Sequence, residues 1–334
     1  MTVEFTELPD LASRDLAGSV VLASDELFAA KENLILPGPA RRVDEFGHKG
    51  KVYDGWETRR RRDLTDPGAR DYAVVRLGVP GVVRGVVVDT SWFTGNFPPE
   101  CSVEAAAVDG YPSPAELVEV AWATLVPRSP LSADAANVFA VSDDARYTHV
   151  RLLIYPDGGV ARLRVHGEPR PDPRLLTGTV DLAALENGGD LVECSDAFYS
   201  SARHLLMPGR PRSMADGWEN ARRRQHGGET GNDYVVVRLG RPCTVRRVEV
   251  DTSYFIGNAP GEAALHGLAD SDGGPSWVEL VTRTRLQPDT RHWFFVDDVP
   301  AVSQVRLDVY PDGGVARLRV WGEAASTSEG SSAG

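Results

Sequence analysis

Tyr155–Gly167 reads YPDGGVARLRVHG, and Tyr310–Gly322 reads YPDGGVARLRVWG, so that only His166 against Trp321 differs. Further matches precede this one in the same order. DGWETRRRR from Asp54 pairs with DGWENARRR from Asp216, DYAVVRLG from Asp71 with DYVVVRLG from Asp233, and DTSWFTGN from Asp89 with DTSYFIGN from Asp251. Upstream, Ser24-Asp25 pairs with Ser195-Asp196, and Leu36-Pro37-Gly38 with Met207-Pro208-Gly209. The offset is 171 residues at Ser24, 162 at Asp54 and 155 at Tyr155, which places nine extra residues of the first copy around Arg41–Lys51 and seven more between Asn96 and Tyr155. A solenoid unit is only about 20–50 residues long, so this is a whole domain duplicated in tandem. The expected domains are 1–167 and 180–322. They are joined by a proline-rich linker over 168–179, expected to be extended and poorly packed, and followed by a small, polar tail over 323–334, expected to be disordered.

Within each copy the pattern is that of short strands. Tyr72–Leu77 and Gly85–Thr90 are Val-rich runs separated by Gly78-Val79-Pro80-Gly81, a turn signal. Pro156-Asp157-Gly158-Gly159 reads as a hairpin turn between Val150–Tyr155 and Val160–Val165. In the last run Ala161, Leu163 and Val165 alternate with Val160, Arg162 and Arg164, and the first set suits a core. Ala23–Asn33 is the one helical candidate, with Ser24 or Asp25 as its cap. Many short strands at regular spacing predict an all-β fold of two jelly-roll sandwiches.

Composition narrows the function. The 334 residues include 48 acidic and 36 basic ones, a net charge of −12. This argues against a nucleic-acid binder and against a protein lying on an anionic membrane. No apolar run approaches the ~18 residues of a membrane span, and Met1–Ser13 does not read as a secretory leader. Cys101, Cys194 and Cys243 have neither metal-like nor disulfide-like spacing, which fits a reducing, cytoplasmic setting. Lysine occurs only at 31, 49 and 51, a bias that a GC-rich coding genome explains.

HExxH, CxxC, GxSxG, a helix-opening GxGxxG and a P-loop are all absent, and the seven histidines, His48 and His226 among them, sit at no ligand spacing. Three segments concentrate polar residues instead. In Asp54–Arg62, an aromatic, a carboxylate and four arginines follow a turn. They form either an anion clamp, since the guanidinium fork matches a carboxylate, or a solvated loop of ion pairs. In Asp89–Asn96, Asp89 ends an apolar run and must be paired or protonated if buried; it either orients an arginine or poises a water, or it pins a loop. In the third, Arg162 and its repeat partner Arg317 are ligand candidates beside the turn.

These residues carry a resemblance. DGWETRRRR (54–62), DTSWFTGNFPP (89–99) and PDGGVARLRV (156–165), each echoed in the second half, resemble the allantoicase family over nearly the whole chain, from about Phe5 to Gly322. The resemblance implies a repeated jelly roll related to galactose-binding-like modules, hydrolysis of allantoate to ureidoglycolate and urea, and assembly as a homo-oligomer. Allantoate has a carboxylate and two ureido groups on one carbon, so its site needs a cationic fork, acceptors and donors for the ureido arms, a base for water and an acid for departing urea. On this reading Glu57 or Asp89 is the general base, with Asp54 the other catalytic candidate. Arg60 or Arg61 takes the carboxylate, and Ser91, Asn96 and Arg162 hold the rest of the substrate. The second-copy equivalents are Asp216, Glu219, Arg222, Arg223, Asp251, Ser253, Asn258 and Arg317. No cofactor is expected, although oxygen ligation of a divalent metal by Asp54 or Asp89 stays open. Asn220-Ala221, Tyr254, Ile256 and Ala259 replace Thr58-Arg59, Trp92, Thr94 and Phe97, so the first copy is expected to contribute more to the site and the second more to scaffold or subunit contacts. The rival reading is a non-catalytic tandem carbohydrate-binding-like module, with Trp56, Trp92 and Trp218 as stacking platforms.

Overall fold

The computed structural model describes residues 5–62, 65–223, 231–271 and 273–325. The chain divides between Arg170 and Pro171 into two compact units, each an antiparallel jelly-roll sandwich. In the first, the strands are β1 (Ser19–Ala23), β2 (Phe46–Gly47), β3 (Gly50–Lys51), β4 (Trp56–Glu57), β5 (Asp71–Asp89), β6 (Glu100–Ala106), β7 (Ala123–Pro130), β8 (Ala136–Ala140), β9 (Arg146–Tyr155), β10 (Gly159–Val160) and β11 (Arg162–Pro169). The second contains β12 (Thr179–Asp181), β13 (Asp190–Cys194), β14 (Asp233–Asp251), β15 (Glu262–Ala269), β16 (Ser276–Arg285), β17 (Arg291–Phe295), β18 (Val302–Tyr310) and β19 (Arg317–Ala324). The single α-helix among the described residues, α1 (Pro114–Glu119), lies in the first unit and opens with a Ser113–Glu116 capping box. No helix there is long and apolar enough to cross a membrane.

The element that organises each unit is one strand, not two. The expected turn at Gly78–Gly81 is a bulge inside the 19-residue β5. Before the bulge β5 lies between β1 and β9 in the sheet β1-β5-β9-β6-β7; after it, β5 runs between β11 and β8. Gly78 is needed because a Cβ there would sit 2.0 Å from the Leu16 carbonyl oxygen, so the chain passes too close for a turn to open. The layout repeats as β13-β14-β18-β15-β16, with β19 and β17 flanking the far half of β14. Val75, Val88, Leu152, Ile154 and Leu163 fill the first core and Val237, Val248, Leu307, Val309 and Leu318 the second, all fully buried.

Two other expectations change. Ala23–Asn33 does not form a helix: Ser24 instead bonds the Asp71 carboxylate at 2.9 Å and Asp25 accepts the Arg59 amide at 2.7 Å, which holds the segment against β5 and β4. PDGG is not a hairpin either. β9 pairs with β5 and β6 whereas β11 pairs with the other half of β5, so the turn crosses from one half of β5 to the other. The linker is folded in part, since Glu168 and Pro169 extend β11 and Pro173–Leu175 form a 3-10 turn. The tail expected over 323–334 is ordered at its start, where Glu323 and Ala324 extend β19 against Thr244 and Cys243, while 326–334 and His226 lie outside the described residues.

One aromatic side chain gathers the three polar segments. Phe93, fully buried, lies where Cβ atoms on Gly55 and Gly159 would reach 2.8 and 2.0 Å from its ring. Phe255 is held in the same way by Gly217 and Gly314. Gly158, at φ +145°, completes the crossing turn in a conformation that L side chains rarely adopt. Phe93→Ala is expected to cost about 3–5 kcal/mol, and Gly159→Ala is expected to destabilise strongly by overpacking; midpoints of urea unfolding followed by near-UV circular dichroism check both.

Candidate active site

Trp56 is fully buried, its Nε1 donating to the Asp25 carbonyl at 2.8 Å, so the DGW turn is anchored by its aromatic and the next side chain, Glu57, is left at the surface of the core. β4 pairs with β10 through Glu57–Gly159 and Trp56–Val160, which fixes the Glu57 backbone beside the crossing turn. The Asn96 carbonyl accepts from the Gly159 amide at 2.7 Å, and the Asn96 Nδ2 donates to Glu57 Oε1 at 2.8 Å. Burial pushes the Glu57 carboxyl above the usual carboxylate range, and the Asn96 hydrogen bond pulls it part of the way back. The pair opens into a cavity of about 370 Å³, also lined by Thr94, Tyr53, Lys49 and Lys51.

The second unit repeats the core of this arrangement. Asn258 Nδ2 donates to Glu219 Oε1 at 2.7 Å, and the Asn258 carbonyl accepts from Gly314 at 2.8 Å. The cavity here is about 600 Å³ and includes Tyr199, Asn220, Arg222, Arg223 and Asp312. The buried Asn220 accepts from the Gly313 amide at 2.8 Å, the role that Thr58 Oγ1 fills towards Gly158 at 3.2 Å, while its Nδ2 is buried without a hydrogen-bond partner among the described residues.

Other predicted residues are placed elsewhere. Arg162 is buried and spends its guanidinium on both Asp54 carboxylate oxygens at 2.9 Å and on the Asp54 and Ala161 carbonyls, so it clamps the DGW turn and does not line the Glu57–Asn96 cavity. Asp54 is thereby a structural partner; it also accepts the Arg41 amide at 2.8 Å. Arg317 likewise donates to the Asp216 and Ala316 carbonyls, and Asp216 takes the Arg212 amide. Asp89 turns its Oδ1 onto the Ser91 amide and hydroxyl at 2.8 and 2.6 Å, and Asp251 accepts the Ser253 amide at 2.8 Å. Both carboxylates pin the loop after the long strand, and neither they nor the serines line the Glu–Asn cavities. Arg61 bonds the buried Asp71 at 2.9 Å, as Arg223 bonds Asp233 at 2.6 Å, although Arg223 still borders its cavity. Arg60 and Arg222 are exposed and without an ion pair among the described residues; only Arg222 lines its cavity. Tyr53, Lys49, Lys51 and Asn220 were missed. The lysines lie inside the extra stretch of the first copy, and that insertion was the signal available for them.

Among the described residues no three His, Cys, Asp or Glu side chains gather as a metal site. Cys101 and Cys243 are buried, which pushes their thiols up to about 12, so neither supplies a thiolate near neutrality. Trp56 and Trp218 are fully buried and cannot stack on a sugar.

The molecule is thus a duplicated jelly-roll protein with one carboxylate–amide pair per domain, a half-buried base candidate in a polar cavity. The family model described as allantoicase repeat matches residues 9–170 and again 180–325. A probable allantoicase of Nocardia farcinica is 58% identical over 96% of this chain and 95% of its own length, and one of Streptomyces coelicolor is 49% identical over 95% and 86%. The crystal structure of allantoicase from Saccharomyces cerevisiae superposes with a TM-score of 0.77 at 34% identity, covering 95% of this chain and 93% of the yeast one. The chain belongs to the allantoicase family, a family of hydrolases.

Two outcomes follow from the geometry. Carbon-13 NMR titration is expected to place the Glu57 midpoint above the ordinary value of about 4.3, and higher still in Asn96→Ala, because the lowering hydrogen bond is gone. Arg162→Ala, which strands Asp54 beside a closed core, is expected to cost about 3–5 kcal/mol, read as a lower denaturation midpoint.

Proposed function

We propose that the chain hydrolyses the C–N bond of allantoate, releasing urea and ureidoglycolate. The observation that carries this reading is the Glu57–Asn96 pair and its twin Glu219–Asn258. A half-buried glutamate whose carboxyl is raised by desolvation is a stronger base towards water than an exposed one, and the amide keeps one of its oxygens fixed. Glu57 takes a proton from water, and the oxygen bonds to the central carbon as the bond to the ureido nitrogen breaks. The proton passes to the departing urea, so one water is consumed and no oxidant or reductant is needed. The cations bordering each cavity meet the substrate carboxylate, and the unpartnered Asn220 Nδ2 is a donor for a ureido carbonyl in the second domain. The reaction is written without a cofactor, in a reducing, cytoplasmic setting that suits three free cysteines. The carbohydrate-module reading has less behind it, because two of its three tryptophan platforms lie inside the core.

The first test is urea release from allantoate by the purified chain, with and without a chelator. Rapid, chelator-insensitive release is expected; folded protein that releases none overturns the reading. Glu57→Gln is expected to lower kcat by about 10²–10⁴ with little change in stability, because burial disfavours the charge it removes: protonated Glu57 is favoured in the fold below its raised value, and that gain is lost as pH rises through it. Glu219→Gln is expected to lower turnover less, in keeping with a first copy that contributes more.

A further inference from the structure

The β2–β3 hairpin is a part of the first domain without a strand-paired counterpart among the described residues of the second, and it bears on the Glu57 cavity. It falls in the extra stretch of the first copy, pairing Phe46 with Lys51 and Gly47 with Gly50 across a His48-Lys49 tip. Two of the chain's three lysines are on it, against 36 basic residues in all. Both lysines line the cavity that holds Glu57 and Asn96. The third, Lys31, is elsewhere and is paired with Glu26 at 3.1 Å and Glu32 at 2.8 Å.

Neither Lys49 nor Lys51 forms an ion pair among the described residues. Lys51 Nζ lies 5.1 Å from the centroid of the Tyr53 ring, within reach of a cation–π attraction, and Tyr53 stacks on Phe93 at 4.6 Å. The ammonium is therefore located by Tyr53, a ring that itself rests on the buried Phe93, rather than by a carboxylate. Two unpaired ammonium groups beside one half-buried glutamate leave the cavity with uncompensated positive charge, the complement of a monoanion. In the second domain the Lys51 and Tyr53 positions are Ser213 and Ala215. There, Arg222 and the Asp233-bound Arg223 border the cavity instead.

We propose that the β2–β3 hairpin is the carboxylate-recognition element of the first domain, with Lys51 and Lys49 binding the carboxylate of a ureido acid while Glu57 faces the carbon that water attacks. This rests on the hydrolytic reading above. It makes the two cavities unequal: the first selects ureides that bear a carboxylate, and the second lacks this element. Lysine suits the task as a compact charge with three donors that follow a carboxylate in several poses, whereas an arginine fork demands one.

The test is steady-state kinetics on allantoate for the wild-type chain, Lys51→Met and Lys49→Gln/Lys51→Met. Methionine keeps the aliphatic stem over Tyr53 and removes only the charge. The expected result is a KM raised by about 10- to 100-fold, the range of a charged hydrogen bond, with kcat within about threefold and the thermal midpoint unchanged. In a Glu57→Gln background, calorimetry with allantoate should show the same loss in Kd, and its dependence on sodium chloride should flatten with the lysines gone. An unchanged KM and Kd in a folded, active double variant overturns the hairpin assignment and leaves the hydrolytic reading intact. So does a fall in kcat at constant KM. A wild-type chain that folds but releases no urea overturns both. If the double variant does not fold, Lys51→Met alone and Lys49→Gln alone, each changing an exposed or half-exposed group, decide by the same measurement.

Discussion

A phenylalanine ring pressed between two glycine-faced turns is the contact on which the rest of each domain's chemistry depends. Phe93 leaves no room for a Cβ on Gly55 or Gly159, and Phe255 none on Gly217 or Gly314. That packing brings three segments, far apart in the chain, to one place. The DGW turn supplies the glutamate, the loop after the long strand supplies the asparagine, and the crossing turn supplies the amide that fixes the asparagine backbone. Close packing transmits such constraints because a core leaves few voids to absorb a shift. The Glu–Asn pair is therefore a product of core packing as much as of polar design.

The duplication shows which parts of the arrangement carry weight. Thr58 gives way to Asn220, yet the amide of the following glycine turn keeps a side-chain acceptor. Arg59 gives way to Ala221, yet the backbone amide at that position still bonds the equivalent aspartate, Asp25 in one copy and Asp196 in the other. Trp92 gives way to Tyr254 with the same φ of 70° and the same aspartate, Asp134 or Asp289, on its amide. Side chains have drifted where the backbone bonding could be met in another way. The hairpin over the first cavity is a difference of another kind, since among the described residues of the second copy Arg222 and Arg223, not a paired hairpin, border the cavity.

Much of this was legible in the residues. The repeat and the all-β class follow from motif and alternation, because strand periodicity and glycine-rich turns are local signals, whereas the Glu57 and Asn96 candidates came from the family resemblance. What resisted was long-range. Gly78–Gly81 has the composition of a turn, and only the near contact with Leu16 shows it to be a bulge. Arg162 has the chemistry of a ligand, and only its burial against Asp54 shows it to be a clamp. Asp89 drew notice because it ends an apolar run and a buried carboxylate needs a partner, and the partner it finds is the backbone amide two residues on. The lysines were visible but read as compositional bias, since nothing local ties residue 51 to residue 57 across a cavity.

The long strand has one more implication. Its first residue, Asp71, pairs with Ile154 and its last, Asp89, with Arg162, and the few residues from 155 to 161 join those two partners. At about 3.3 Å per residue a straight strand of 19 residues could not present both ends to one short turn, so β5 arches over and returns. The crossing turn is the clasp of that arch, and Glu57 is paired to the clasp through Gly159. Should the two layers of the sandwich part even slightly, the clasp and the glutamate part with them. The place of the Glu57 carboxylate is thus set by the closure of the whole arch and not by its local turn alone.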